Sequence, residues 1–111
     1  MRWVYAKKID VAPGASGTLD VNLPQIASKF KLVEASVYFP AGTEGQLQVK
    51  MFYGNEQILP DEGEITGDAF EFKSNKERVF QAGSKITIQY VNADATNPKT
   101  CYVKLEFEVV E

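Results

Sequence analysis

The chain has 111 residues, 44% hydrophobic and 24% charged, a globular composition expected to form one domain, residues 1–111. Twelve Lys and Arg against fifteen Asp and Glu leave a net charge of −3. The basic residues are scattered, so the electrostatic footprint of a nucleic-acid-binding protein is missing. No histidine and a single cysteine exclude a Ser-His-Asp triad, a histidine-ligated zinc or blue-copper centre and an internal disulfide.

The dominant pattern is period-two alternation broken by Gly, Pro and Asn, which predicts strands joined by turns. Residues 3–11 read as a first strand with mixed faces, because Lys7 interrupts the set Trp3, Tyr5, Ile9 and Val11. Leu19, Val21 and Leu23 alternate with Thr18, Asp20 and Asn22. Residues 24–29 begin with Pro and suit a single helical turn. Across residues 31–39 the apolar face is Val33, Ala35, Val37 and Phe39. In residues 46–53, Leu47, Val49, Met51 and Tyr53 point one way, and Gly54-Asn55 then suits a tight hairpin into Glu56–Leu59. Phe70 and Phe72 flank Glu71 in a short strand, and residues 78–80 form another, at an edge. Ile86, Ile88 and Tyr90 mark the next inward face. The clearest strand is the last, with Cys101, Val103, Leu105, Phe107 and Val109 opposite Thr100, Tyr102, Lys104, Glu106 and Glu108. A strand running to Glu111 is stable only when paired, so this end is expected in a sheet or at a subunit contact.

About eight short strands with regular turn signals predict an all-β fold, a two-sheet antiparallel β-sandwich. A jelly-roll-like topology is favoured over an immunoglobulin-like one. No apolar run approaches the roughly 20 residues of a membrane helix, so no membrane span is expected. The opening residues 1–8 lack the apolar core of a signal peptide, which points to folding in a cytoplasm.

Few residues suggest chemistry. Asp61, Glu62, Glu64 and Asp68 cluster in one turn-rich stretch. They read either as a calcium loop or as a solvated acidic turn, and the spacing departs from the helix-loop-helix calcium motif. A hydrolytic acid pair needs two carboxylates facing across a cleft, which one turn does not supply. Cys101 falls on an apolar face with no base partner, as a buried structural thiol does. No enzyme activity and no cofactor are expected.

The aromatics divide. Phe39, Tyr53, Phe70, Phe72, Tyr90 and Phe107 fit inward faces. Tyr38, Phe52 and Tyr102 fall on polar faces, and Trp3 and Tyr5 lie near a chain end. Outward aromatics are covered by a loop or buried in a second core, anchor a subunit interface, or stack on a sugar ring. Trp3, Tyr5, Phe52, Phe80 and Tyr102 are the candidate interface or ligand residues, with Asn92, Asp94 and Asn97 as polar loop groups for a glycan.

In this general character the chain resembles small β-sandwich subunits of viral particles, such as capsid, decoration or fibre proteins. It is also similar to non-catalytic carbohydrate-binding modules. The first resemblance implies a structural protein that forms a homo-oligomer or docks on a larger protein assembly and is incorporated into a viral particle. The second implies a glycan ligand.

Overall fold

The structure, a computed structural model, describes residues 1–110. Nine strands follow in chain order: β1 (Arg2–Val11), β2 (Ser16–Asn22), β3 (Lys29–Phe39), β4 (Leu47–Tyr53), β5 (Glu56–Leu59), β6 (Phe70–Ser74), β7 (Arg78–Gln81), β8 (Lys85–Asn92) and β9 (Lys99–Val110). They form two antiparallel sheets packed face to face as a β-sandwich. One sheet runs β1-β9-β3-β6, with β7 also on β3; the other runs β2-β8-β4-β5. Six of the eight connections therefore pass from one sheet to the other, and β4–β5 is the one hairpin between hydrogen-bonded neighbours in sequence. Gly54 turns that hairpin at φ 61°, a backbone conformation open to glycine at no steric cost. The predicted end strand is β9; Glu111 lies outside the described residues.

The helical turn expected at residues 24–29 is absent. This stretch carries the chain across to the first sheet, and its backbone groups pair with the facing turn instead of closing a helix. Gly83 N–H donates to Leu23 at 3.0 Å, and Ala82 N–H donates to Ser28 at 2.9 Å. No described helix is long and apolar enough to cross a membrane.

β3 departs from the simple alternation. A bulge between Leu32 and Glu34 shifts its register against β9, and the extra residue reverses which parity faces inward. Phe30 and Leu32 before the bulge and Ala35, Val37 and Phe39 after it are all buried, while Val33 is only half-buried. The expectation that Val33 shares the core face is therefore corrected.

The same shift decides Phe80. It pairs with Phe30 across β7–β3, shares that inward face and is 2% exposed, so it is a core residue rather than a surface anchor. Trp3 is likewise drawn in, its ring 5.6 Å from Phe107 and 5.9 Å from Phe30. Tyr5 is half-buried against the same core. Conversely, Tyr53 and Phe70 follow inward parity yet remain exposed at the ends of their strands, although the Tyr53 ring still meets Phe80 of the opposite sheet at 5.2 Å. Lys7 occupies an inward position opposite Val103 but stays exposed on the edge strand β1. An inward-pointing charge on an edge strand opposes addition of a further strand there.

Candidate functional site

β9 lies between β1 and β3 in the five-stranded sheet, and their outward side chains form rows across its solvent face. Tyr102 is paired directly with Tyr38, with Lys8 on its other side and Glu71 beyond Tyr38. The two rings lie 6.2 Å apart at an interplanar angle of 37°. They remain 44% and 41% exposed, although a cross-strand aromatic pair gains from mutual contact. The next row holds Ala6, Lys104, Ser36 and Lys73. Together the two rows surround a shallow basin of about 400 Å³. Ser36 is buried in its floor.

A change of sign follows. The third row is Val4, Glu106 and Glu34, and the fourth is Arg2, Glu108 and Lys31. Arg2 reaches diagonally to Glu106 at 3.0 Å. The face thus carries an aromatic end with lysines, then two adjacent glutamates. Such a surface can stack and hydrogen-bond, and the strand ladders fix the spacing of its rows.

Phe52 lies on the solvent side of the other sheet, paired with Thr87 and half-buried. The acidic stretch is dispersed. Asp61 pairs with Lys76 at 3.0 Å, and Asp68 Oδ1 accepts the Gly42 N–H at 2.8 Å. Glu62 and Glu64 are exposed. Among the described residues, no group of three or more potential ligands is arranged to hold a metal ion.

No protein-family model matches this sequence, and the curated proteins contain no significant relative of it.

The loop residues considered for a glycan are engaged within the chain. Asn92 is buried, and its Nδ2 donates to the carbonyls of Val11 and Ala12, both at 3.3 Å, and of Asn97 at 3.0 Å. Asp94 Oδ1 accepts from the Thr96 N–H and hydroxyl, both at 2.9 Å, and from the Asn97 N–H at 3.1 Å. Hydrogen bonds from Thr96, then Asn97, hold its carboxyl well below the usual carboxylate range.

Beside this loop, Lys99 is 7% exposed. Its Nζ donates to the Gly42 carbonyl at 2.8 Å and lies 3.3 Å from Asp94 Oδ2 and 3.4 Å from Glu44 Oε1. Lys99 was not singled out from the sequence. A signal was present: it is one step before Cys101 on the inward parity of β9, where a charge requires partners.

Cys101 is fully buried, and burial first, then the Asp10 charge, pushes its thiol up to about 12. The thiolate is the reactive form. The folded protein is therefore expected to resist an aromatic disulfide reagent at pH 8, labelling only as fast as it opens. Labelling as rapid as that of a free thiol would refute this burial.

Proposed function

We propose that this chain is a non-enzymatic structural subunit with a jelly-roll-type sandwich, built into a larger assembly of the kind found in viral particles. The observation that carries the reading is the Tyr38–Tyr102 pair, held open to solvent on a rigid sheet face among lysines and glutamates. Interfaces are enriched in such aromatic groups. The topology adds support. Orders of β1-β9-β3-β6 and β2-β8-β4-β5, with the chain repeatedly crossing between them, favour a jelly roll over an immunoglobulin-like sandwich.

The same tyrosines and basin favour one second reading, a carbohydrate-binding module. A sugar ring would stack on the aromatic pair, with Lys8, Ser36 and Lys104 as hydrogen-bonding groups. A Tyr38→Ala/Tyr102→Ala variant separates the two. Under the assembly reading, its dissociation constant, measured by light scattering over a hundredfold dilution, rises about tenfold or more, the scale of losing one interfacial anchor. Under the sugar reading, glycan binding disappears and mass is unchanged. An assembled protein whose mass ignores both substitutions would remove the tyrosines from the contact.

A further inference from the structure

We infer that the outer face of the five-stranded sheet is a self-complementary contact for a second copy of this chain. The inference rests on the assembly reading above and names its partner and geometry. The decisive feature is the order of charge along the strands. Lys104 and Glu106 are successive outward residues of β9, and Ser36 and Glu34 are their respective neighbours on β3.

Consider a two-fold axis lying in the contact plane, running across the strands between these two rows. It turns one copy so that its Lys104 faces Glu106 of the other, and the converse pair forms at the same time. Ser36 then meets Glu34, and Ala6 meets Val4, which is exposed in the single chain. Tyr38 falls toward Lys31, whose stem and charge suit an aromatic face; Tyr102 falls toward Glu108, and on the edge strand Lys8 falls toward Arg2, the one like-charged pair of the set. A two-fold contact uses the same patch twice, so it requires this internal complementarity. The alternative axis along the strands would set lysine on lysine and glutamate on glutamate.

Size is consistent with a reversible dimer. Four strands at about 4.8 Å and four rows at about 6.8 Å give roughly 500 Å² per copy, hence about 1,000 Å² in total, near the lower limit for specific interfaces. Edge-to-edge pairing through β1 is opposed by the inward Lys7.

The test uses the full chain in sedimentation equilibrium over a hundredfold dilution at low ionic strength. The native chain is expected to form a dissociable dimer. Lys104→Glu and Glu106→Lys should each raise the dissociation constant at least tenfold. An equimolar mixture of these two variants should recover the dimer, because each supplies the charges the other needs. Ala6→Arg, at an exposed position and leaving Lys104 and Glu106 in place, should also block association, and it replaces the charge reversals where these disturb folding. An oligomer indifferent to all these changes would overturn this face while leaving assembly through another surface. A chain monomeric throughout would overturn the self-contact altogether; glycan binding by that monomer, lost with Tyr38 and Tyr102, would transfer the face to the sugar reading.

Discussion

Phe107→Ala is expected to destabilise the protein by about 4 kcal/mol, within the range for a fully buried phenylalanine. Phe107 is completely buried on the central strand β9. Its ring meets Trp3 at 5.6 Å, Phe30 at 6.3 Å and Phe80 at 6.4 Å between centroids. The last two contacts are nearly perpendicular, at 87° and 75°, the edge-to-face arrangement that aromatic quadrupoles favour. Truncation removes the shared centre of this cluster. The neighbours come from β1, β3 and β7, and strands pinned by their own ladders cannot collapse freely into the space. Since domains of this size retain only about 5–15 kcal/mol of stability, the loss would be a large fraction of the total. Urea unfolding should show a midpoint lowered by about 2 M with an unchanged slope. A shift corresponding to less than about 1 kcal/mol would mean that the cluster repacks, contrary to this account.

Lys99→Met is expected to cost about 3 kcal/mol, the second large effect. Methionine keeps much of the apolar stem but leaves the Gly42 carbonyl and Asp94 Oδ2 without the ammonium that lies 2.8 and 3.3 Å away. Glu44 is mostly exposed, so its contact contributes little because water screens it. A Lys99→Met/Asp94→Asn double variant should therefore cost less than the sum of its parts, as coupled partners do. Chemical unfolding of the four species measures this coupling; strict additivity would dissolve the pair. Acid gives a separate signature. Asp94 is depressed in the folded state by Thr96 and Asn97, so its contribution is present above the ordinary aspartate value of about 3.9 and is lost as pH falls below it. Because those hydrogen bonds do not involve Lys99, Lys99→Met should retain the part of this acid sensitivity that Thr96 and Asn97 supply, whereas Asp94→Asn should remove that part too.

The strands most legible in the sequence were β4, β8 and β9, where one face meets the core and the other meets water without interruption. β3 was legible as a strand but not in its faces. Its bulge places Phe30 and Leu32 on one side of a parity change and Ala35 and Val37 on the other; the switch is written in the alternation, where Phe30 and Leu32 follow Lys29 and Lys31, but a single register read from Lys31 to Phe39 hides it. Phe80 was misread for the same reason, since its direction is inherited from Phe30. Of the candidate face, the outward direction of Tyr38 and Tyr102 was readable. Their being neighbours was not, because this depends on pairing strands far apart in the chain. Asn92 and Asp94 were recognised as polar loop residues, but their hydrogen bonds to distant backbone or nearby turn groups emerge only once the loop is folded.

The place of β9 bears on how the protein is made. It separates β1 from β3, so the first sheet has no continuous hydrogen-bonded surface until β9 has been synthesised. During translation β1 and β3 wait with Ile9, Phe30, Val37 and other core side chains lacking their eventual neighbours. The pairing of Arg2 with Glu108 spans nearly the whole sequence, and such non-local ladders fold on the millisecond-to-second scale typical of all-β domains. The nascent chain thus passes through a window in which its apolar strands depend on delayed closure, and emergence of β9, rather than of the early strands, sets the moment at which the sandwich can form.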